Sequence, residues 1–111
     1  MTGEKEITIE QFLDVHLKAA KVISAERIKD SRKLLKLVID LGTEERTVVA
    51  GIAETYTPDE IQGKTIIVCT NLKPAKLMGV ESRGMVLAAV VDDQAIMAVF
   101  DREVPPGAVV R

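Results

Sequence analysis

The sequence predicts a single all-β domain, a small barrel, over residues 1–111. The chain has 111 residues, of which 47% are hydrophobic and 29% are charged, and this composition is typical of one globular domain. Its apolar runs are short and are separated by glycine, proline and polar residues, which is the pattern of strands joined by turns. A domain of this size buries only a little more than about 60% of its unfolded surface, so pairing with a second copy is expected to help stabilise it.

Two short helices are predicted by their N-terminal caps. In "TIEQFLDV", Thr8 precedes the helix and Gln11 follows three residues later, which is the capping-box pattern, and the helix is expected to end near Asp14. In "TPDEIQG", Thr57 and Glu60 repeat this pattern around a proline at the first helical position. The first helix is expected to precede the barrel and the second to join two of its strands.

Five apolar runs are predicted to be strands. In chain order they are "KAAKVISAERI", "LLKLVIDLG", "ERTVVAGI", "KTIIVCTNL" and "RGMVLAAVVD". Gly42 supplies a tight turn between the second and third, and the "TPDEIQG" turn joins the third to the fourth. This element order is that of the OB-fold, a partly open five-stranded barrel, although short barrels also occur in other topologies.

The fifth run and the segment after it predict a dimer interface. The run Met85–Val91 shows no alternation of apolar and polar residues, so we expect it to be covered on both faces. A barrel covers only one face, and a second chain could cover the other. The segment "AIMAVFDREVPPGAVV" adds two shorter apolar runs, broken by Pro105, Pro106 and Gly107, as a C-terminal β extension. This extension, part of the fifth strand and the first helix are expected to form a homodimer interface.

Positive charge is concentrated in two zones of a chain whose net charge is −2. Residues 15–36 carry seven cations against two acids, and residues 64–83 carry four cations against one acid. In an OB-fold, the turn after the first strand and the connection between the fourth and fifth strands flank the binding face, so we expect the two zones to meet there. Such a surface suits a polyanion such as RNA.

The simpler interpretation is that these cations form solvated faces, which is what charge runs usually are. The aromatic residues are only Phe12, Tyr56 and Phe100, and none of them lies in a basic zone. Binding of single strands by base stacking on aromatic side chains is therefore not expected. Phosphate and sugar contacts remain, and these read shape instead of sequence.

The stretch "NLKPAKLMGVESRGMVLAA", together with "KLLKLVIDLG" and "RTVVAGI", closely resembles a known tRNA-binding domain. That domain is shared by methionyl-tRNA synthetases, at the C-terminus or as a separate small subunit, by plant and animal synthetase cofactors, and by stand-alone bacterial tRNA-binding proteins. The resemblance extends from about Ile9 to Val110 and includes the family spacing of eight residues: Asn71, Leu72, Lys73, Lys76, Gly79, Ser82, Gly84 and Met85. At this length, the chain resembles the stand-alone or separate-subunit form.

The resemblance implies a dimeric OB-fold protein that grips tRNA by its shape at the outer corner, without reading the anticodon. Lys73 and Lys76 would then meet phosphates, Asn71 and Ser82 would bond sugar or base edges, and Met85 would contact an unstacked base, unless it is barrel core. The candidate tRNA-binding residues are Lys18, Arg32, Lys33, Asn71, Lys73, Lys76, Ser82, Arg83 and Met85.

The chain departs from the family pattern at two places. Arg32 precedes Lys33 where relatives commonly have an acid, which increases the positive charge of that turn. His16 and Lys18 stand where relatives commonly have aspartate and arginine, so any structural pairing of those two residues is not reproduced here. We expect His16 to be a surface or cap residue, because the sequence offers no second histidine and no suitable cysteine partner for a metal site.

No catalytic residues, metal or cofactor are expected, since the sequence has no triad spacing, phosphate-binding glycine loop or metal-ligand cluster. Cys69 lies in an apolar run and is expected to be core, and neither a leader segment nor a membrane span is recognisable, so a cytoplasmic protein is expected. The expected partners are tRNA and a second copy, with a methionyl-tRNA synthetase catalytic chain as a further candidate; DNA and membranes are not expected. The alternative is a secretion-associated chaperone family of the same fold, which binds unfolded peptides.

Overall fold

A computed structural model of the chain describes residues 3–111. It contains two short helices and ten strands, several of them only two to four residues long. Their bounds are α1 Ile9–Leu13, β1 Leu17–Arg27, β2 Leu35–Asp40, β3 Glu45–Ala50, α2 Pro58–Ile61, β4 Thr65–Cys69, β5 Ala75–Leu77, β6 Val80–Ser82, β7 Met85–Val86, β8 Ala88–Val91, β9 Gln94–Met97 and β10 Val109–Val110. Over this part of the chain, neither helix has the length and apolar character needed to cross a membrane.

The main sheet is antiparallel and curls into a barrel. Its strand order is β3-β2-β1-β4-β7. The long strand β1 pairs with β4 through residues 17–21 and with β2 through residues 21–27, and its register shifts between Val22 and Ser24, which marks a bulge. At the far edge β3 packs against β6 and β7, and the Arg83 N–H donates to the Thr47 carbonyl at 3.0 Å. The all-β, OB-fold-like barrel predicted by the sequence is therefore confirmed.

The barrel is filled by aliphatic side chains. On β2, Leu35, Leu37 and Ile39 are fully buried, while the residues between them are only partly buried. This alternation places one face of the strand inward, and each such side chain contributes roughly 1.5–3 kcal/mol by leaving water. Cys69 is 3% exposed, so the prediction that it belongs to the core is confirmed.

Both predicted capping boxes are formed. The Thr8 hydroxyl accepts from the Gln11 N–H at 3.1 Å, and the Gln11 side chain accepts from the Thr8 N–H at 2.8 Å. Thr57 and Glu60 make the same pair of bonds at 3.3 and 2.8 Å. These bonds satisfy N–H groups that a helix start leaves unpaired, which explains why segments with so few residues form helices at all.

The predicted fifth strand is divided in two. The first part, β7, pairs with β4, whereas β8 leaves the barrel and pairs with β9 in a separate hairpin. The turn of this hairpin holds Asp92 and Asp93 at positive φ, 50° and 64°. One chain alone leaves Val90 76% and Val91 54% exposed, so cover of the second face of Met85–Val91 by another chain stays a prediction. The strand pairs locally with β9, so its outer side chains have no barrel surface to pack against.

The connection between β4 and β7 is a hairpin instead of an irregular loop. Strands β5 and β6 pair antiparallel, with Ala75 opposite Ser82 and Leu77 opposite Val80. Their two-residue turn holds Met78 and Gly79 at φ 50° and 81°, the positive values of a type I′ turn. The sequence pattern does not indicate this hairpin, because its strands are only three residues long.

The C-terminal β extension returns to its own barrel. Strand β10 pairs with the start of β1, and the Gly107 N–H donates to the Ala19 carbonyl at 2.7 Å. Gly107 also meets the β2–β3 turn, where a Cβ on Gly42 would lie 2.7 Å from the Pro106 carbonyl oxygen. Gly42 has φ 88°, so this turn needs glycine both for its backbone conformation and for the close approach.

Candidate nucleic-acid interface

The turn after β1 carries the first group of predicted site residues. Arg32 and Lys33 are both exposed in this turn. The turn is held from inside, since the Ser31 hydroxyl accepts from the Leu34 N–H at 3.2 Å and the Lys33 carbonyl accepts from the Ala53 N–H at 3.0 Å. The backbone is thus fixed while the two cationic side chains reach solvent.

The β5–β6 hairpin carries the second group. Lys73 precedes β5 and Lys76 lies within it, and both side chains are exposed. Lys76 is the direct cross-strand neighbour of Glu81, and Arg83 follows β6 at the point where the chain meets β3. The hairpin therefore presents its cations at the edge of the barrel.

The two basic zones share one groove. The groove is bounded by β2 and β3 on one side and by the hairpin on the other. Its lining residues are Lys36, Glu45, Arg46, Thr47, Gly79, Val80, Glu81 and Arg83. Lys36 belongs to the first zone, three residues after Lys33, and Gly79 is in the turn of the hairpin. Of the predicted site residues only Arg83 lines this groove, so the meeting of the turn after β1 with the hairpin at one binding face stays a prediction.

Asn71 makes its side-chain bonds within the protein. Its Oδ1 accepts from the His16 N–H at 2.9 Å, and its Nδ2 donates to the Asp14 carbonyl at 2.6 Å. Asn71 thereby ties the start of the connection to the end of α1. These bonds use only one of the two Nδ2 hydrogens of an exposed side chain, so the contact to a sugar or base stays a prediction beside this structural role.

Ser82 is also used internally. It is 4% exposed, and its hydroxyl accepts from the Val49 N–H at 2.9 Å and donates to the Gly84 carbonyl at 3.1 Å. A buried hydroxyl with both bonds satisfied cannot reach RNA without breaking them. In this conformation Ser82 joins β6 to β3, and a bond from Ser82 to RNA stays a prediction that would require these bonds to break.

Met85 is half exposed, at 52%, and is not barrel core. It borders an apolar groove formed by the end of β3 and by the strands β7 and β8, with Val49, Ile52 and Val90 among its neighbours. The flexible thioether is thus available to an apolar or flat partner.

Lys18 lies within the sheet, on β1 between β4 and β10, and is only partly exposed. Its charge, together with those of Arg46 and Arg83, reaches Glu44. The pKa of Glu44 lies below its ordinary value of 4.5, chiefly because Arg46 hydrogen-bonds the carboxylate. Lys18 therefore belongs to a mixed cluster at the foot of the hairpin, apart from the turn that carries Lys33.

Arg46 is the residue that sequence reasoning missed. It is the only cation of residues 37–63. This segment has six acids, so its net charge is negative and gives no sign of a basic functional residue. In the structure its Nη1 donates to the Thr70 carbonyl at 2.7 Å and to the Arg83 carbonyl at 3.3 Å, and its Nε donates to Glu44 at 2.7 Å. The match to "RTVVAGI" includes this residue, but nothing local in the sequence indicates partners so distant.

The departures from the family pattern lie at the surface. The His16 side chain is exposed, as expected for a surface residue, and its backbone carbonyl accepts from the Thr70 N–H at 2.9 Å. Arg32 is exposed next to Lys33. Among residues 3–111, there is no group of three or more histidine, cysteine or acidic residues placed to hold a metal ion.

A barrel of this strand order, with exposed cations in the turn after β1 and in the hairpin between β4 and β7, has the architecture of an oligonucleotide-binding protein. The family model described as a putative tRNA-binding domain matches residues 17–109. The chain belongs to this family. The resemblance that rested on the Asn71–Met85 stretch is thereby confirmed.

Three comparisons place the chain among known proteins. It is 51% identical over 107 residues to the methionine–tRNA ligase of Archaeoglobus fulgidus, covering 96% of this chain but only 16% of the ligase. A crystal structure of a MetRS-related protein from Pyrococcus horikoshii matches with TM-score 0.92 and 41% identity, over 97% of this chain and 100% of that one. The chaperone CsaA of Bacillus anthracis matches with TM-score 0.89 and 25% identity, over 96% and 100%.

Proposed function

We propose that this chain binds tRNA by its shape, without reading the anticodon, and carries out no reaction itself. The observation that carries this proposal is the set of exposed cations in the turn after β1 and on the β5–β6 hairpin, in a member of the tRNA-binding domain family. Sequence-independent contacts to phosphates on a folded RNA need cations at fixed positions, and the held turn and the held hairpin supply them.

The proposed phosphate contacts are the exposed cations. They are Arg32, Lys33, Lys73, Lys76 and Arg83, with Lys18 contributing charge from the foot of the hairpin. Met85 is the proposed apolar contact for an unstacked base, because half of its side chain is exposed beside the groove of β3 and β7. Asn71 and Ser82 are proposed to support these residues from within the protein.

The binding form is proposed to be a homodimer. Three segments leave apolar side chains in water, namely the β8–β9 hairpin, α1 and the C-terminal extension. The most exposed of these side chains are Val90 at 76%, Val109 at 64%, Ile9 at 63% and Val99 at 56%. Covering them with a second copy would remove apolar surface that one barrel of this size leaves open. Two copies would offer one bent RNA two basic surfaces, so one tRNA per dimer is expected.

The setting is proposed to be protein synthesis in the cytoplasm. The methionine–tRNA ligase relative extends far beyond the part that this chain matches. The chain would therefore act either as a stand-alone homodimer or as the separate β subunit of a methionyl-tRNA synthetase, delivering tRNA to its catalytic chain. Co-purification of such a chain with this protein from its native cytoplasm would support the second form.

Competition binding tests the proposal. At a single salt concentration, several intact tRNAs with different anticodons should compete equally well. An isolated anticodon stem-loop, unstructured RNA of equal length and duplex DNA should compete poorly. Equal affinity for folded tRNA and unstructured RNA would contradict recognition of shape, and strong preference for one tRNA would contradict anticodon independence.

A chaperone that binds unfolded peptides is the second candidate. It is favoured by the likeness to CsaA and by the apolar groove beside Met85. Salt separates the two candidates, because the affinity of a protein for RNA falls steeply with ionic strength, whereas capture of apolar peptide does not. Peptide capture that persists at high salt, with no tRNA binding at low salt, would favour the chaperone.

A further inference from the structure

Arg46 joins the two ends of the segment that carries the second basic zone. Its Nη1 donates to the Thr70 carbonyl, where the chain leaves β4, and to the Arg83 carbonyl, where the chain returns to the barrel, at 2.7 and 3.3 Å. A single guanidinium thus bonds both ends of the segment Thr70–Arg83, which contains β5 and β6.

The guanidinium is itself oriented by an acid. Its Nε donates to Glu44 Oε1 at 2.7 Å, and Glu44 lies just before Arg46 at the start of β3. The Arg46 side chain is only 15% exposed, in contrast to the exposed lysines of the hairpin. Arg46 lines the groove, but its Nε and Nη1 donors are already taken by Glu44 and by two protein carbonyls.

We infer that Arg46 is a positioning residue for RNA binding: it holds the β5–β6 hairpin in its binding arrangement without contacting RNA. This inference rests on the proposed function. A segment whose ends are fixed loses less conformational freedom when a ligand immobilises it, so a fixed hairpin binds more tightly than a free one. Arginine suits this role because its planar group can donate in several directions at once, which a lysine ammonium on a flexible stem does less well.

Loss of the Arg46 donors and loss of a control cation should have different effects on tRNA binding. Arg46→Met keeps the stem but removes the donors, so it should weaken tRNA binding by about tenfold, the scale of a charged hydrogen bond. In the same variant, backbone amides of residues 72–82 should exchange their hydrogens faster, while those of β2 should not change. Lys5→Met is the matched control, because Lys5 is exposed, lies outside the basic zones and the proposed interface segments, and changes the net charge equally when it is lost.

A double-mutant cycle separates positioning from direct contact. In a Lys73→Ala, Lys76→Ala background the hairpin has lost its proposed phosphate contacts, so adding Arg46→Met should change affinity by less than about twofold. An equally large loss in both backgrounds would mean that Arg46 contacts RNA directly and would overturn the inference. Unchanged exchange of residues 72–82 in Arg46→Met would also overturn it.

Arg46→Lys keeps the charge and covers the case in which Arg46→Met fails to fold. The inference expects this variant to bind tRNA more weakly than the wild type and to show the faster exchange. Full wild-type affinity and exchange in Arg46→Lys would show that charge alone suffices and would overturn the inference. Absence of tRNA binding by the wild-type protein would instead overturn the proposed function, and the inference with it.

Discussion

Two hairpins of this molecule, β5–β6 and β8–β9, lie outside the main sheet and share one local design. Each has a two-residue turn with positive φ values, 50° and 81° at Met78 and Gly79 and 50° and 64° at Asp92 and Asp93. Such turns match the right-handed twist of short strands, so the backbone of both hairpins follows the same rule.

The hairpins differ in what they expose and in how they are attached. The β5–β6 hairpin exposes Lys76 and is tied to the barrel by the side chains of Arg46, Asn71 and Ser82. The β8–β9 hairpin exposes Val90, at 76%, and is attached by a bond from the Met97 N–H to the Tyr56 hydroxyl at 3.1 Å. A polar hairpin fixed from within suits an anion, whereas an apolar hairpin suits another protein surface. Backbone geometry alone therefore does not decide the partner of a hairpin.

The largest effect is expected at the end of the polar hairpin, in Gly84→Ala. Gly84 has φ 150°, and a Cβ there would lie 2.9 Å from the Cys69 carbonyl oxygen and 3.0 Å from Val68 Cγ1. Strain and overpacking together should lower the free energy of unfolding by about 3 kcal/mol. Gly79→Ala is the control, since its φ is 81° but no atom lies within 4 Å of the added Cβ, and it should cost about 1 kcal/mol. Urea denaturation measures the free energy of unfolding of both variants. Equal losses in the two variants would show that the end of the hairpin can move freely.

The next effect is expected on the apolar hairpin, in Val90→Asp. A charge at this exposed position should not unfold the monomer but should weaken self-association by at least about tenfold, because it would have to be buried in the proposed dimer. Light scattering over a dilution series measures the change. Ile23→Asp is the control, because Ile23 is 39% exposed and lies on β1, outside the three proposed interface segments. A wild-type monomer at micromolar concentration would contradict the dimer itself.

A smaller effect is expected for single lysines of the basic zones. Lys33→Ala, Lys73→Ala and Lys76→Ala should each weaken tRNA binding without unfolding the protein. Each should also reduce the slope of log affinity against log salt by about 0.7–0.9, because one phosphate contact is lost. Lys5→Ala, in the acidic N-terminal segment, should leave both quantities unchanged. Unchanged slopes for all three lysines would place the RNA site elsewhere.

The smallest effect is expected on hydrogen exchange when the pH is lowered. The pKa of Glu44 is lowered by its bond to Arg46, and the pKa of Glu60 is lowered by its bonds to Thr57. A carboxyl group with a lowered folded-state pKa stabilises the fold above its unfolded value and loses this contribution as pH falls through the lowered value. Below about pH 4.5, hydrogen exchange should therefore rise in the β5–β6 hairpin before it rises in β8–β9, and Glu44→Gln should remove this difference. An equal rise in both hairpins would contradict the role of Glu44 in orienting Arg46.

Features that depend on neighbours in the sequence were predictable. The capping boxes of Thr8 and Thr57 join residues three positions apart, and their bonds form as expected. The buried face of β2 follows from the alternation of Leu35, Leu37 and Ile39. The first four strands and the two basic zones follow in the same way, since each rests on one continuous run of residues.

The roles of Asn71, Ser82 and Arg46 were decided only by the tertiary structure. Besides local bonds to Gly84 and Glu44, their partners lie 55 to 57, 33, and 24 to 37 residues away in the chain. No local pattern could indicate which of these distant carbonyl or N–H groups each would meet. The division of the fifth strand was also decided by the tertiary structure, because the residues of β8 do not indicate whether it pairs within the barrel or with β9. Sequence by itself thus determined the fold, the family and the location of charge. Closure of the barrel then decided which polar groups reach solvent and which hold the protein together, because a buried polar atom must be paired with whatever the fold brings beside it.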